Sequence, residues 1–237
     1  MSDVRGTIPS PNIWGSPDVY EIENLANDRE GRVDAAIAEL APVCGARVLD
    51  IGCGTGFHLP RFVAAGAQVV GLEPHLPLVN AARSRIVSLP AAGVVAGSAE
   101  AIPLPDNTID VAHSRWAYFF GSGSEPGLAE VERVLALGGI HVVVDHDPTV
   151  STFGRWFSAA YPAYDPEGTA RFWRRRGYDR QSLTVHWTFD SAADLESVLA
   201  IELPPATVEQ AVAEQAAGAR DARLLIDVGV ALYHRAY

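Results

Sequence analysis

A glycine-rich stretch, VLDIGCGTG at residues 48–56, holds the residue types best suited to ligand chemistry. Gly52, Gly54 and Gly56 form a G-x-G-x-G pattern, whereas the dinucleotide fingerprint G-x-G-x-x-G places its third glycine one residue later. Asp50 lies just before the first glycine, at the end of a predicted strand. A pyrophosphate at this position would meet a negative charge, while an ammonium group would gain a charge-assisted hydrogen bond. The electrostatics therefore favour a cationic nucleoside over a dinucleotide.

A second acid, Glu73, closes the next predicted strand, 23 residues after Asp50. Rossmann-type sheets place an acid at about this distance, where it accepts hydrogen bonds from the hydroxyls of a ribose. An adenosine with a cationic tail describes S-adenosylmethionine. The two acids and the glycine loop together predict a site for that cofactor.

Four ordered motifs resemble the class I S-adenosylmethionine-dependent methyltransferases, in the small-molecule branch that includes the quinone-biosynthesis enzymes. They are VLDIGCGTG, VVGLEP, GSAEAIPLPDNTIDV and EVERVLALGGIHVVV, and the resemblance spans roughly residues 33–145. It implies an α/β fold: a Rossmann-like, doubly wound, seven-stranded and mostly parallel sheet with an antiparallel last strand and helices on both faces. It also implies S-adenosyl-L-methionine as cofactor and S-adenosyl-L-homocysteine as product.

Two residues depart from the family pattern. Ser98 stands where the family usually has an Asp that accepts a hydrogen bond from the adenine amino group. We expect adenine to be held instead by the Ser98 hydroxyl and by backbone groups of Ala99 and Glu100, although a hydroxyl is a weaker acceptor than a carboxylate. Leu137 replaces the usual Pro before two glycines, and the glycines can still make the turn.

The resemblance also implies where the rest of the ligands bind. It places the methionine end of the cofactor after the fourth strand, near Ser114, Arg115 and Trp116, and the acceptor beyond the fourth and fifth strands. Trp14 and Tyr20 could close over the cofactor as a lid or belong to a tail packed on the sheet. The predicted cofactor-binding residues are Tyr20, Asp50, Gly52, Cys53, Gly54, Gly56, Glu73, Pro74, Ser98, Ala99, Glu100, Ser114 and Arg115. The predicted substrate pocket comprises Tyr118, Phe119, His146, Trp156 and Phe172.

The catalytic residue is left open. His146 lies between Asp145 and Asp147 and is a candidate general base, because a neighbouring carboxylate would orient its imidazole. The alternative is a loop histidine that bonds to backbone or water. A dedicated base is optional, since the cofactor carries its own activated methyl group. We predict no metal site.

Two clusters allow a structural and a functional interpretation. Eight aromatic residues fall between Phe153 and Tyr178, and they could wall an apolar acceptor cavity or form a satellite core. Arginines at 171 and 174–176 could bind an acidic acceptor through an arginine fork. Adjacent arginines point in different directions, which favours a solvated helix face.

The elements that must position these residues alternate between strand and helix, which is typical of a mostly parallel sheet. Predicted strands cover residues 47–51, 68–73, 94–96, 108–114, 140–145, 183–189 and 226–234. Predicted helices cover 33–40, 57–65, 77–89 and 128–135, and others begin after Ser191 and Thr207. We expect one domain over residues 1–237, with an N-terminal cap or lid at 1–32 and an aromatic-rich insert at 150–180.

Composition restricts the partners. A net charge of −11 disfavours a nucleic acid and favours a small-molecule acceptor. No apolar run is long enough for a membrane span, and the N-terminal residues lack the pattern of a signal peptide. Cys44 and Cys53 are too few for a disulfide framework, so we expect reduced thiols and a cytoplasmic protein. The alternatives are a cofactor-binding protein without transfer activity and a nicotinamide-dependent oxidoreductase.

Overall fold

A computed structural model describes residues 9–117, 123–218 and 224–237. It confirms the predicted fold class, because the described residues form one seven-stranded sheet. The strands are β1 (Arg47–Ile51), β2 (Gln68–Glu73), β3 (Ala92–Ala96), β4 (Ile109–Arg115), β5 (Leu135–His146), β6 (Asp179–Phe189) and β7 (Leu224–Ala236).

The strand order β3-β2-β1-β4-β5-β7-β6 makes the sheet doubly wound. Strands β1 to β5 pair in parallel, whereas β7 is antiparallel to both β5 and β6. The chain moves outward from β1 to β3 and then returns to place β4 on the other side of β1. Such a switch point opens a crevice beyond the carboxyl ends of β1 and β4, where ligands bind in open α/β sheets.

Strand β1 shows why this sheet is covered on both faces. Every residue of β1 after Arg47 is buried, as expected of a central parallel strand. Val48 packs into one apolar cluster, while Leu49 and Ile51 pack into another. Because successive side chains of a strand point to opposite faces, the two clusters lie on opposite sides of the sheet.

Helices surround the sheet. They are α1 (Pro11–Gly15), α2 (Pro17–Ala26), α3 (Arg32–Leu40), α4 (Leu59–Ala64), α5 (Leu76–Arg85), α6 (Glu125–Val134), α7 (Thr152–Ala160), α8 (Pro166–Arg175), α9 (Ala192–Glu202) and α10 (Pro205–Gly218). In the part of the chain that the structure describes, no helix is long and apolar enough to cross a membrane.

The N-terminal segment is more regular than its sequence pattern indicates. Helices α1 and α2 both begin at a proline, which suits a first helical turn because no N–H donor is needed there. The buried face of α2 includes Glu23 and Asn24, so it carries no clear apolar periodicity. A helix whose buried face is polar escapes a search for hydrophobic repeats.

The segment after β5 also gains definition. Helices α7 and α8 lie in the aromatic-rich segment, where the sequence pattern did not distinguish helix from loop. Strand β6 begins at Asp179, earlier than the predicted residue 183, and its first residues are largely exposed. An exposed strand end lacks the apolar alternation that marks the buried part, so the prediction began too late.

Candidate functional site

A cleft lies beyond the carboxyl ends of β1, β2 and β4, and about 1270 Å³ of space separates its walls, including the open mouth. Ten of the thirteen residues predicted to bind the cofactor line it: Tyr20, Gly52, Cys53, Gly54, Glu73, Pro74, Ser98, Ala99, Glu100 and Arg115. Residues far apart in the chain therefore meet at the switch point of the sheet.

The glycine loop lets the backbone form the floor of the cleft. Gly52 and Gly54 have φ angles of +70° and +57°, in the left-handed region that L side chains rarely adopt. A Cβ at Gly52 would lie 2.5 Å from Ala117 Cβ, and one at Gly54 would lie 2.6 Å from Ile13 Cδ1. The loop is tied to β2, since the Leu72 carbonyl accepts from the N–H groups of Gly52 and Cys53. Only glycine fits these two positions without displacing the opposite wall.

Glu73 lines the cleft, and its carboxylate is also hydrogen-bonded to the backbone around it. Its Oε2 accepts from the Gly54 N–H at 3.0 Å, and its Oε1 accepts from the His75 N–H at 2.9 Å. Burial raises the pKa of Glu73, and the two backbone hydrogen bonds oppose that rise. The carboxylate is thus held in place by the backbone, at the position predicted for a ribose acceptor.

Asp50 and Gly56 are not among the residues that line the cleft. Asp50 is the register partner of His113 on β4, and its Oδ1 lies 2.7 Å from His113 Nδ1. Its Oδ2 is buried and has no partner. A Cβ at Gly56 would lie 3.0 Å from Ala82 Cβ, so this glycine allows α5 to pack against the loop. Both residues stand behind the floor of the cleft, because strand register and helix packing decide where they point.

Arg115 brings a guanidinium to the cleft. It donates to Asp34 Oδ1 at 2.9 Å, and another of its nitrogens lies 3.3 Å from Nε2 of His58. Burial and the nearby Arg115 charge hold the pKa of His58 well below its usual value, which keeps this imidazole neutral. The Arg115 Nε is buried without a partner.

Several residues of the cleft were missed by sequence reasoning. They include Ile13, Asn24, Thr55, Phe57, His58 and Ala117. His58 follows the last loop glycine by two residues, and that proximity was the available signal. Trp14, considered only as part of a lid, lines the cleft and stacks on His75 with ring centroids 4.3 Å apart.

Comparison with known proteins identifies the region that builds this cleft. Residues 49–143 match the family described as "Methyltransferase domain". This segment therefore resembles a methyltransferase domain. An uncharacterized methyltransferase of Mycobacterium tuberculosis is 36% identical over 104 residues, which cover 44% of this chain and 41% of the relative. A demethylmenaquinone methyltransferase of Corynebacterium kroppenstedtii is 33% identical over 125 residues, covering 53% of this chain and 51% of the relative.

Solved structures support the same fold. A SAM-dependent methyltransferase from Aquifex aeolicus has a TM-score of 0.54 at 22% identity and covers 69% of this chain and 90% of its own. The YcgJ protein from Bacillus subtilis has a TM-score of 0.58 at 19% identity and covers 86% and 97%. The chain spans about half, or less, of the length of the two sequence relatives named above.

Ser114 points to the side of β4 that faces away from the cleft, so it does not line the cleft. Its Oγ is 3.1 Å from Nε2 of His141, and His141 Nδ1 is 2.7 Å from the Tyr178 hydroxyl. Ser114 is fully buried in this polar chain. Neighbouring residues of a strand alternate in direction, so Arg115 can reach the cleft only if Ser114 points away.

His146 lies behind the cleft wall rather than on it. Its ring stacks on Trp116 with centroids 5.2 Å apart, and burial lowers the pKa of His146 to about 4. The neighbouring acids do not orient the imidazole as predicted. Asp145 accepts from the backbone N–H of His146, and Asp147 forms an ion pair with Arg180. His146 is therefore neutral and weakly basic at neutral pH.

Trp116, which lies between His146 and the cleft, has a strained backbone. Its φ of +49° is rare for a bulky residue. Strain of this kind persists only where the surroundings hold it, and it clusters at functional sites. Its indole N–H is buried without a partner.

None of the other predicted pocket residues that the structure describes lines the cleft. Tyr118 and Phe119 lie outside the described residues. Trp156 is 1% exposed and donates its indole N–H to Glu214 at 2.9 Å, which makes it a core residue. Phe172 packs under the Arg176 guanidinium, 3.6 Å from the ring centroid, and lines neither described cavity. Helix packing, rather than composition, decides which aromatic side chains face a cavity.

The basic cluster on α8 behaves as a solvated helix face. Arg171 pairs with Asp165 and Glu167, and Arg176 pairs with Glu125. Within the described residues, no group of three or more His, Cys, Asp or Glu side chains is gathered as a metal site requires.

Proposed function

We propose that this protein transfers a methyl group from S-adenosyl-L-methionine to a small-molecule acceptor. The observation that carries the proposal is the position of Glu73, whose carboxylate is held by two backbone N–H groups at the rim of a glycine-floored cleft. That cleft lies in a domain that matches the methyltransferase family.

The described residues suit each part of the cofactor. Glu73 would accept from the ribose hydroxyls, and Ser98 with the backbone of Ala99 and Glu100 would hold adenine. Arg115 would pair with the methionine carboxylate, because its planar guanidinium suits carboxylate geometry. The close walls at Gly52 would admit only backbone beside the ligand.

The bound cofactor would supply a methyl group already activated by the sulfonium charge. The protein then has to align the acceptor, exclude water and, for some acceptors, remove a proton. His146 suits proton removal poorly, because a base with a pKa of about 4 is a weak acceptor. An acceptor with its own free lone pair would require no base from the protein.

The partner and the compartment belong to the same proposal. A net charge of −11 would repel a polyanion, which supports a small molecule over a nucleic acid. Cys44 and Cys53 are free thiols, which supports a reducing compartment such as the cytoplasm. Ile13, Trp14, Tyr20 and Asn24 line the cleft, which supports the N-terminal segment as its cap.

Isothermal titration calorimetry with S-adenosylhomocysteine, S-adenosylmethionine and NADH tests the proposal. We expect both sulfur nucleosides to bind and NADH to show no heat of binding. Binding of NADH alone would support an oxidoreductase instead. Cofactor binding without any methylated product, across a broad panel of amines, phenols and carbon acids, would favour a binding protein without transfer activity.

A further inference from the structure

A second cavity, here called the aromatic groove, lies between the end of α7 and the end of α9. Its walls include Phe157, Tyr161, Tyr164, Ile201 and Glu202, and about 1080 Å³ of space lies between them, including the open mouth. Nothing in the cofactor cleft accounts for this groove, since the two cavities share no lining residue among those described.

Three aromatic rings form one side of the aromatic groove. The ring centroids of Phe157 and Tyr161 are 4.9 Å apart, and those of Phe157 and Tyr164 are 5.4 Å apart with the rings perpendicular. The Tyr161 hydroxyl donates to the backbone carbonyl of Glu202 at 2.9 Å, which holds its ring beside the acid. Ring faces carry negative potential and attract organic cations.

One acid, Glu202, lines the aromatic groove opposite these rings. A second acid, Glu23 of α2, does not line the groove but lies close enough for Glu202 to act on it electrostatically. Glu23 is 4% exposed, and its Oε2 has no hydrogen-bond partner. Asn12 donates to Glu202 at 2.5 Å. Within the described residues, no arginine or histidine forms an ion pair with either acid.

The position of Glu202 in the chain adds to the negative potential. It is the last residue of α9, where the helix dipole already carries partial negative charge and where cations are favoured. Burial raises the pKa of Glu202 to about 7, and burial together with the nearby Glu202 raises that of Glu23. A buried acid beside a half-buried one, without a cation, is costly unless a ligand compensates the pair.

Tyr20 connects these acids to the cofactor cleft. It lines the cleft, and its pKa is raised by burial and then by the charges of Glu23 and Glu202. Arg115 also acts electrostatically on Tyr20, but its ion pair is with Asp34. The two acids therefore act electrostatically on a residue of the cleft wall.

We infer that the aromatic groove binds a small organic ammonium group, with Glu202 as its counter-ion and the rings of Phe157, Tyr161 and Tyr164 as its walls. The nearby Glu23 adds to the negative potential behind the groove.

Choline and dimethylbutanol, its uncharged carbon isostere, form a matched pair of probes. Calorimetry or ligand-observed NMR at about pH 8, where more of both carboxyl groups is ionised, would compare the two probes. We expect choline to bind and dimethylbutanol to bind at least about tenfold more weakly, because only choline is charged. Equal binding of the two probes would overturn the inference.

Glu202→Gln removes one counter-ion and keeps its shape. We expect choline binding to weaken by about tenfold or more. Glu196→Gln is the matched control, since Glu196 is an exposed acid on the same helix, and it should bind as the parent does. Tyr161→Leu should weaken choline binding by about threefold, and Tyr161→Phe, which keeps the ring, should weaken it less. Unchanged choline binding in Glu202→Gln would contradict the inference.

S-adenosylhomocysteine titrated into the same samples separates the two proposals. Each variant should bind it as the parent does, which also shows that the fold is intact. A parent protein that binds S-adenosylhomocysteine but not choline would overturn the ammonium site alone. A parent that binds choline but not S-adenosylhomocysteine would overturn the methyltransferase function and leave the ammonium site standing.

Discussion

The cofactor cleft and the aromatic groove differ in how their acids are hydrogen-bonded. In the cleft, Glu73 accepts from two backbone N–H groups, one to each oxygen. At the aromatic groove, Glu202 accepts from a side-chain amide, and the nearby Glu23 has an oxygen without a hydrogen-bond partner. A carboxylate held in place by backbone donors is positioned to accept further hydrogen bonds from hydroxyls. An acid pair without backbone donors keeps its negative potential and favours a cation.

The same contrast extends to the neutral walls. The cleft is floored by backbone, with glycines that exclude side chains, while the groove is walled by aromatic rings. A wall made of backbone fits a ligand whose shape does not change. Ring faces attract a positive charge whatever groups are attached to it. The ligand of the cleft would thus be held by a rigid backbone, and the ligand of the groove would be selected by its charge.

Gly52→Ala should have the largest effect and would break the cleft side of the comparison. The left-handed φ costs an alanine about 1–2 kcal/mol, and contact with Ala117 adds about 1–3 kcal/mol of overpacking. We expect S-adenosylhomocysteine affinity to fall by about 100-fold, or the melting temperature to fall if the loop cannot move. Gly93→Ala, where the added Cβ meets nothing within 4 Å, is the control for both measurements.

Glu73→Gln should come next. A glutamine has one oxygen where the carboxylate has two, so one of the two backbone donors and part of the ribose contact are lost. Hydrogen bonds to charged groups contribute about 1.5–3 kcal/mol, which predicts about a 20-fold loss of S-adenosylhomocysteine affinity by calorimetry. Glu39→Gln on the exposed side of α3 is the matched control. An unchanged affinity in Glu73→Gln would remove Glu73 from the proposed ribose site.

Glu202→Gln should alter the pH dependence of stability and so sharpen the groove side. The pKa of Glu202 is raised in the folded state to about 7, so its stabilising contribution is complete below its ordinary pKa and is lost as pH rises through about 7. From about pH 5 to about pH 8 the parent should lose about 1–2 kcal/mol of unfolding free energy relative to the variant, since the half-buried acid is partly screened. Urea unfolding at both pH values measures this difference.

If the unfolding free energies of the parent and of Glu202→Gln depend on pH to the same extent, the role given to Glu202 is contradicted. Choline added at about pH 8 sharpens the test further. It should raise the unfolding free energy of the parent, by ligand linkage, and leave that of the variant almost unchanged.

Ser98→Asp should have the smallest effect. It introduces the carboxylate that the family usually has at this position, and a charged acceptor is stronger than a hydroxyl by about 0.5–1 kcal/mol. We expect S-adenosylhomocysteine to bind about threefold more tightly by calorimetry. Ser98→Asn serves as the uncharged control, and unchanged binding in both variants would show that adenine does not depend on this side chain.

Much of the cofactor cleft was predictable because its residues sit in contiguous motifs next to strand ends. The glycine loop, Glu73 and the Ser98 turn all follow buried strands, and a parallel sheet must bring those ends to one edge. The direction of individual side chains was less accessible. Asp50 turns to His113 and Ser114 turns to His141, because register between strands chose their neighbours.

The acceptor side was poorly predictable for the same physical reason. Trp156 and Phe172 were expected in a pocket, yet helix packing buries Trp156 in the core and sets Phe172 under Arg176. Phe157, which is adjacent to Trp156 in the chain, faces the aromatic groove instead. Composition marked the segment, but the rotation of α7 about its axis decided which rings face a cavity.

By itself the sequence determined the fold class, the alternation of strands and helices and the chemistry of the glycine loop, since these depend on local patterns and on spacing along the chain. Only the tertiary structure brought Glu23 of α2 beside Glu202 of α9, residues separated by most of the chain. No local pattern encodes that meeting, because it arises from the packing of α2 against α9.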